Sequence, residues 1–352
     1  MDELFQKAVK RNEEMKKSPD AVPWKPDQPH PQPYYTYDSS KRAWEPAEGK
    51  PQQQQQQQQQ QANTSPPALN RLALFSWNID FMLPYAKQRM DAALDHLDGL
   101  TSKLPSTTAA VILLQECIAE DLATIGEKAW VREKFHVTDV DSANWQSGYY
   151  GTTALVDRRL RVASCFRVHY AKTRMERDAL FVDVLLGKGK TIRLCNTHLE
   201  SLALEPPLRP AQMQVVAKHL RADGVDGGLV AGDFNAIQPF DRALHSDNGL
   251  RDAFLEVGGR EDCDEAYTWG QQAATAFRER FGCSRMDKVY FTGKLVLRRF
   301  ERFGADVLVA GGKEADEIVA LGFEKPWITD HLGVVAEVEV AGDASDSSRS
   351  VM

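Results

Sequence analysis

The stretch VAGDFNAIQ, residues 230–238, places an acid and an amide directly after an apolar run that ends in a glycine. Asp233 and Asn235 lie two residues apart, and alternate residues of an extended chain point to the same side. The pattern therefore predicts a buried strand from whose end a carboxylate and an amide project together. Loops at strand ends carry many binding and catalytic residues, so the pair indicates a functional site. A lone aspartate at a strand end also caps turns, and this alternative stays open for Asp233 taken by itself.

Short apolar runs rich in β-branched and aromatic residues recur on both sides of this stretch. They are LALFSWNI, AAVILLQECI, GTTALVD, ALFVDVLL, TIRLCNTHL, GGLVAGDF, MDKVYF and LGVVAEVEV. Helices are predicted between some of them, over residues 84–100, which open on a proline, and over residues 208–222. Because other strands follow one another directly, we expect a four-layer α/β/β/α sandwich, with two mixed sheets packed face to face and flanked by helices.

Composition divides the chain into three parts. Residues 1–70 are rich in proline and contain the glutamine run from Gln52 to Gln61, and they hold few aliphatic residues. We expect that segment to be disordered or loosely ordered, because it cannot bury enough surface to offset its ordering entropy. Its first 17 residues are predicted to form a short charged helix, which is either solvated or docks a protein partner. Residues 71–340 are expected to form one dense domain, and residues 341–352 a disordered tail.

Net charge, cysteine spacing and the length of apolar runs limit the kinds of function that the chain can have. The net charge is −7, so any contact with nucleic acid must come from local basic groups rather than from an overall basic surface. Three arginine- and lysine-rich clusters, within residues 158–161, 172–177 and 294–302, are candidates for such groups. The 5 cysteines are scattered without a Cys-x-x-Cys motif, which is typical of reduced thiols and argues against a zinc knuckle. No apolar run reaches membrane-spanning length, so no membrane contact is expected.

Polar residues recur where the predicted strands end. They are Asn78, Asp80, Glu116, His198, Ser201, Asp233, Asn235, Asp287, Asp330 and His331. The carboxylates include hard oxygen ligands that suit Mg²⁺, with Mn²⁺ as an alternative. The histidines can donate hydrogen bonds to phosphate oxygens, Asp233 can orient or deprotonate water, and the asparagines can hold this base and a phosphate in place. Together these groups are the parts of metal-assisted phosphoester hydrolysis.

Each of these residues also has a structural interpretation when it is taken alone. His331 is consistent with a satisfied structural histidine, and Asp287 with a buried ion-pair partner. Glu116 suits the first turn of a helix, where the helix dipole favours a carboxylate. It is the joint occurrence of these residues, in one order along the chain, that favours a catalytic site.

The order Trp-Asn, Leu-Gln-Glu, Asn-Thr-His-Leu-Glu-Ser, Gly-Asp-Phe-Asn, Met-Asp-Lys-Val and Thr-Asp-His resembles the endonuclease/exonuclease/phosphatase superfamily. The resemblance covers residues 71–340 and implies a catalytic domain with the four-layer sandwich and a Mg²⁺-dependent phosphodiesterase activity. Within the superfamily, FSWNID (75–80), NTHLES (196–201) and TDHLGV (329–334) look like the tyrosyl-DNA phosphodiesterase 2 group. That likeness implies hydrolysis of 5′-tyrosyl-DNA adducts left by topoisomerase, in DNA repair. It also implies a DNA partner with a 5′-blocked or single-stranded end, and a nuclear location, with a cytoplasmic pool as an alternative.

The resemblance also implies roles for individual positions. Asp233 corresponds to the catalytic acid/base residue, and Asn235 to its neighbour on the phosphate side. His198 and His331 correspond to the residues that stabilise the transition state. Asp287 is expected to bond His331 and fix its tautomer, a role that hydrogen-bond chemistry supports independently.

Metal and substrate positions follow in the same way. Glu116 and Asp80 match the metal positions, and Asp330 is a further candidate near the metal. The residues expected to line the DNA end are Ser201, Asn78, Asn235 and Trp269, and Asn78 also counts among the catalytic residues. An aromatic side chain such as Trp269 suits stacking on a base.

Two positions depart from the group. Ala203 and Ile237 stand where arginines are usual, and Arg209 or Arg242 are candidates to replace them. The substrate is therefore less determined than the reaction. One alternative is another phosphoesterase of the same superfamily, such as an abasic-site endonuclease or a lipid, inositol or RNA phosphodiesterase. A binding module that has lost catalysis is a second alternative.

Overall fold

The computed structural model describes residues 2–47, 69–187 and 189–341 of the chain. In chain order, its strands are β1 His30–Pro31, β2 Tyr34–Asp38, β3 Ala43–Ala47, β4 Arg71–Asn78, β5 Thr108–Ile118, β6 Phe135–Val137, β7 Tyr150–Asp157, β8 Arg161–His169, β9 Asp178–Leu186, β10 Lys190–His198, β11 Gly227–Asp233, β12 Arg251–Asp252, β13 Asp287–Gly293, β14 Leu295–Phe303 and β15 Gly333–Val340. Its α-helices are α1 Asp2–Met15, α2 Ala86–Thr101, α3 Ala119–Glu127, α4 Ala129–Lys134, α5 Arg209–Leu220, α6 Leu244–Asp247, α7 Ala253–Glu256, α8 Thr275–Phe281 and α9 Lys313–Ala320.

The described strands form two mixed sheets. The first has 7 strands in the order β1-β8-β9-β10-β11-β13-β12, and the second has 8 in the order β14-β15-β4-β5-β7-β6-β2-β3. The central pairs β10/β11 and β4/β5 are parallel, and their neighbours pair antiparallel. Parallel neighbours end at the same edge of a sheet, so the residues that follow these strands are brought together.

Alternating side chains build the layers. In β4, Leu72 and Leu74 pack into the core between the two sheets, whereas Phe75 and Trp77 pack outward against the α2 side. The helix α5 covers the outer face of the first sheet, where Val216 lies in a separate apolar cluster. The predicted four-layer α/β/β/α sandwich is therefore confirmed, as are the predicted helices, which the structure places at α2 and α5.

The N-terminal segment differs from its prediction, because residues 2–47 belong to the fold. Strand β1 extends the first sheet through the pair His30↔Arg167, and β2 extends the second through Tyr35↔Val137. Trp24 is buried, stacks on a histidine ring and donates from Nε1 to a glutamine oxygen at 2.7 Å. Aromatic packing and edge pairing thus replace the aliphatic burial that the sequence lacks, and prolines are tolerated on edge strands. The glutamine run and residues 342–352 lie outside the described residues, so disorder there stays a prediction.

Helix α1 docks on its own chain. Ser147 donates to Asn12 Oδ1 at 2.6 Å, and Asn12 donates to Glu176 Oε2 at 2.8 Å. Phe5 and Val9 remain exposed on the helix, and docking of a protein partner stays a prediction. Among the described helices, none has the length and apolar character needed to cross a membrane.

Two long strands, β8 and β14, were missed by the sequence patterns because charged residues interrupt their apolar alternation. In β14 the arginines are partly neutralised by the neighbouring strand, since Arg298 pairs with Glu339 at 3.0 Å and Arg299 with Glu337 at 2.9 Å. This basic cluster is therefore mainly a cross-strand ion-pair ladder and not an open positive surface.

Candidate active site

Three predicted site residues lie side by side at the end of the first sheet. The strand register pairs His198 with Asp233 across β10/β11, and Asp233 with Asp287 across β11/β13. Their side chains continue the face that packs toward the second sheet, because Leu229 and Val289 on the same strands lie in the core between the sheets. The site therefore occupies the end of the space between the two sheets.

The second sheet contributes Asn78, the last residue of β4. Its Nδ2 donates to Asp233 Oδ2 at 3.0 Å, and its Oδ1 accepts the backbone N–H of Asp80 at 2.9 Å. A hydrogen bond between residues 155 apart in sequence thus joins the two halves of the site. The structure brings Asn78 and Asp233 together as predicted.

Local backbone geometry at the site is unusual. Gly232 has φ of 154°, and a Cβ there would lie 1.7 Å from the carbonyl oxygen of Thr197, so only glycine fits before Asp233. Three predicted site residues also have positive φ, which is uncommon for residues other than glycine. The φ angles are 58° for Asp80 and Glu116 and 47° for Asn235. Such conformations cost free energy and tend to cluster where function fixes side-chain direction.

Asp233 is buried and has several partners. The backbone N–H of Asn235 donates to Oδ1 at 2.8 Å, and His198 Nε2 lies 3.3 Å from Oδ2. Burial alone would raise the pKa of Asp233, but the imidazoles of His331 and His198 outweigh it and hold that pKa well below its usual range. Asp233 is therefore an ionised carboxylate with fixed orientation.

His331 lies among three carboxylates. Its Nδ1 is 2.8 Å from Asp287 Oδ2, and its Nε2 is 3.8 Å from Asp233 Oδ2 and 3.8 Å from Asp330 Oδ1. Burial alone would lower the pKa of His331, but Asp287 and Asp233 outweigh it and raise that pKa well above its usual value. His331 is thus an imidazolium whose Nδ1–H donates to Asp287 and whose Nε2–H faces the centre of the site.

Arg177 is a site residue that the sequence patterns did not single out as such. Its Nη1 contacts His198 Nδ1, and its Nη2 donates to Ser201 Oγ at 3.0 Å. A guanidinium can only donate, so Nδ1 of His198 is the acceptor and Nε2 carries the proton that faces Asp233. Burial, with the Arg177 charge next in size, lowers the pKa of His198, which is therefore neutral.

The carboxylates predicted to bind metal adjoin this group. Burial, followed by the charges of Asp330 and Glu116, raises the pKa of Asp80 well above its usual value. Asp80 Oδ2 is buried without a hydrogen-bond partner among the described residues. Glu116 Oε1 lies 3.7 Å from His198 Nε2. Mutually repelling carboxylates with an unpaired buried oxygen fit a hard divalent cation, which would supply the missing positive charge.

A second set of possible ligand atoms overlaps the catalytic group. In the described part of the chain, Asp233, Asp287 and His331 each place one such atom within 4.8 Å of the others. The 2.8 Å contact between Asp287 and His331 is already a hydrogen bond. A cation at this second set would replace that bond, whereas one at the carboxylate set would leave it intact.

A model of the Endonuclease/Exonuclease/phosphatase family matches residues 75–331, a span that includes every predicted site residue. The chain belongs to this family. A search by sequence among curated proteins finds no match.

Several solved structures have the same fold as this chain. D. rerio TDP2 complexed with single strand DNA product has a TM-score of 0.58 at 19% identity, over 77% of this chain and 99% of that one. TDP2 from Caenorhabditis elegans has a TM-score of 0.59 at 21% identity, over 79% of this chain and 77% of that one. The human Nocturnin catalytic domain with bound sulfate anion has a TM-score of 0.51 at 16% identity, over 77% and 95%. The likeness at these identities is one of fold.

Trp269 and Ser201, two of the predicted substrate residues, lie beside the cluster around Asp233 and His331. Trp269 Nε1 donates to Asp330 Oδ2 at 2.6 Å, and Trp269 forms a backbone bridge with His331. Phe281, which the sequence patterns did not indicate, is 57% exposed, with its ring centroid 6.5 Å from that of Trp269. Ser201 reaches the site through Arg177. The two aromatic rings give the rim an apolar wall.

Behind the site, a buried polar layer joins the sheets. Gln115 Nε2 donates to Asn196 Oδ1 at 2.7 Å and to Ser76 Oγ at 3.1 Å. The sequence carried a signal for this layer, since these polar residues occupy positions that alternation assigns to the apolar face between the sheets. A satisfied buried network of this kind fixes the relative position of the two halves of the site.

The two arginines considered as replacements for Ala203 and Ile237 behave differently. Arg209 is buried and bonds both oxygens of Asp241 at 2.8 Å, so it is a structural residue. Arg242 is exposed. Arg209 also donates to the backbone carbonyl of Leu202 at 2.8 Å, whereas Arg177 donates to the side chain of Ser201 at 3.0 Å.

Proposed function

We propose that this chain is a Mg²⁺-dependent phosphodiesterase that hydrolyses 5′-tyrosyl-DNA adducts, with Mn²⁺ as an alternative cation, in nuclear DNA repair. The observation that carries the proposal is the junction of Asn78, Asp233, His198 and His331 at the end of both sheets, beside the carboxylates Glu116, Asp80 and Asp330.

The residues divide the work of hydrolysis. Asp233, held ionised and oriented by Asn78 and the backbone of Asn235, accepts the proton of a water that attacks phosphorus. The bond from phosphorus to the tyrosyl oxygen breaks, and tyrosine leaves as a phenolate that takes up a proton from solvent. His331 donates its Nε2–H to a phosphoryl oxygen as negative charge grows there, and Asp287 supports the imidazolium. Neutral His198 directs its Nε2–H at Asp233 in the structure, and we assign that proton to a phosphoryl oxygen once substrate is bound. Glu116, Asp80 and Asp330 would hold a divalent cation, which would supply positive charge to polarise a phosphoryl oxygen.

The rim supports a nucleic-acid end as substrate. Trp269 and the exposed Phe281 offer faces on which a base or a tyrosine ring can stack. Lys172 and Arg174 are exposed on the segment that leads to Arg177, so positive side chains approach the site on that side. The fold is that of TDP2, one structure of which is complexed with single strand DNA product.

Turnover of a defined substrate tests the proposal. With Mg²⁺, the wild-type chain is expected to release tyrosine from a 5′-phosphotyrosyl oligonucleotide, and Asp233→Asn is expected to abolish release without loss of folding. Cleavage of an abasic-site duplex, with the tyrosyl oligonucleotide left intact, would overturn the tyrosyl assignment and keep the phosphodiesterase.

A second candidate keeps the reaction and changes the substrate. Ala203 and Ile237 remove two arginines that the resemblance expects beside the substrate, and Ile237 is exposed. This loss favours a different phosphoester substrate that enzymes of the same superfamily hydrolyse. Such substrates are abasic DNA, a lipid, an inositol phosphate and RNA. Parallel turnover assays on these compounds separate the two candidates.

A further inference from the structure

A cavity of about 260 Å³ lies on the helix side of the first sheet, next to the segment that follows Asn235. One wall is the segment 236–242 that follows Asn235, and the other comes from residues 261–288. Consecutive strand residues point to opposite faces, so Lys288 points to this cavity side while Asp287 points to the catalytic site. Ile237, which lines the cavity, lies within about 7 Å of Asn235 along the backbone.

Lys288 and Arg285 are the buried cations that line this cavity, with 2% and 5% of their surfaces exposed. The ion pair of Lys288 among the described residues is with Glu261 Oε1, at 3.6 Å. Glu261 is also bound by the Arg285 guanidinium, whose other partner is Asp252 at 2.7 Å. Arg285 and Lys288 therefore share the carboxylates of Glu261 and Asp252, two charges of each sign, and burial lowers the pKa of Lys288 to about 8. At 3.6 Å the contact of Lys288 with Glu261 is longer than a hydrogen bond, so a phosphate entering the cavity would offer Lys288 a partner at hydrogen-bond distance.

Arg242 stands at the rim of the same cavity. Its side chain is 59% exposed and pairs with Asp262, which is 61% exposed. An ion pair between two solvated side chains contributes little stability, so a phosphate can exchange with this carboxylate at little cost. A guanidinium is well suited to that exchange because it binds phosphate with two parallel hydrogen bonds.

We propose that Arg242 and Lys288 bind a backbone phosphate of a single-stranded DNA segment, adjacent to the phosphate that is hydrolysed. The inference rests on the proposed function, because it takes the substrate to be a strand that continues past the reacting group. It assigns the strand's path over Ile237, where the departure from the family pattern removed an arginine. Arg242 and Lys288, which belong to different elements of the fold, would then take the place of the arginine expected at position 237.

The salt dependence of binding tests the contact directly. Binding of a single-stranded octanucleotide to the Asp233→Asn chain is measured by fluorescence anisotropy across a salt series. Each phosphate contact contributes about 0.7 to the slope of log Kd against log salt for single strands. Because both cations contact one phosphate, Arg242→Gln and Lys288→Met are each expected to lower that slope by a part of this 0.7 and to raise Kd at low salt. Lys313→Gln, a change at a lysine that is 82% exposed on α9, is the matched control and is expected to leave the slope unchanged.

The outcomes separate this inference from the proposed function. An unchanged slope in Arg242→Gln, an exposed position where misfolding is not expected, overturns the phosphate contact. In turnover assays the two variants are expected to raise KM for a 5′-tyrosyl octanucleotide but not for the p-nitrophenyl ester of thymidine 5′-monophosphate, which has no neighbouring phosphate. Equal effects on both compounds would also overturn it. A chain that binds the strand with the expected slopes yet hydrolyses neither compound refutes the proposed function and leaves the cavity assignment standing.

Discussion

Replacement of Asp287 tests the electrostatic reasoning about the site. Asp287 Oδ2 accepts the Nδ1–H of His331 at 2.8 Å, both groups are buried, and this carboxylate is the largest of the influences that raise the pKa of His331. A hydrogen bond to a charged group contributes about 1.5–3 kcal/mol. If that support is needed in the transition state, Asp287→Ala should lower kcat about 10- to 150-fold, at about 1.4 kcal/mol for each factor of ten.

The conservative variant sharpens this test. Asp287→Asn retains an acceptor for Nδ1–H but loses the charge, so its kcat is expected to lie between those of wild type and Asp287→Ala. Steady-state turnover of a 5′-tyrosyl oligonucleotide with saturating Mg²⁺ measures both, and thermal unfolding shows the folded fraction. Asp183→Asn is the control, because Asp183 lies away from the site and its Oδ1 is 2.6 Å from Arg193 Nε. This change should lower the stability of the fold and leave kcat per folded molecule unchanged. A kcat within twofold of wild type for Asp287→Ala would refute the role given to this pair.

Three other predictions concern the docked N-terminal segment, the tautomer of His198 and the metal. Trp24→Ala should lower the free energy of unfolding by about 3–5 kcal/mol in chemical denaturation, as for other buried tryptophans, whereas Phe5→Ala at an exposed position should change it by less than about 0.5 kcal/mol; equal small effects would mean that the segment is loosely attached after all. Arg177→Met removes the donor to His198 Nδ1 and should lower kcat by at least about tenfold, the equivalent of one charged hydrogen bond, while an unaltered kcat would show that the tautomer does not need it. Chelation with EDTA should abolish turnover, and Mg²⁺ at 100 times its Kd should restore it and stabilise the folded wild type by about 2.7 kcal/mol, with a smaller gain in Asp80→Asn; equal stabilisation of both proteins would exclude Asp80 as a ligand.

The sequence predicted the central strands because their residues carry strong local signals. β4, β5, β10, β11 and β15 combine β-branched and aromatic residues with polar residues at their ends, and parallel pairing then gathers those ends. β8 and β14 escaped prediction because cross-strand ion pairs, such as Arg299 with Glu337, stabilise them rather than apolar alternation. The sequence of one strand does not show which other strand will pair with it and supply these ion-pair partners.

The N-terminal segment and Arg177 show the same limit. Trp24 is stabilised by a histidine and a glutamine that lie more than 100 residues away, and Arg177 meets His198 and Ser201 only after folding. Low aliphatic content therefore gave a wrong expectation for residues 2–47. The directions of the pKa shifts at Asp233 and His331 likewise depend on which carboxylates and imidazoles meet, which spacing alone does not determine.

The most direct measurement is hydrolysis of a 5′-tyrosyl oligonucleotide by the wild-type chain with Mg²⁺ in ¹⁸O-enriched water. The proposed chemistry predicts free tyrosine together with a 5′-phosphate that carries one oxygen from the solvent. If neither this compound nor abasic DNA, sphingomyelin, inositol phosphates or RNA is cleaved with any divalent cation, then the cluster around Asp233 is not a hydrolytic site.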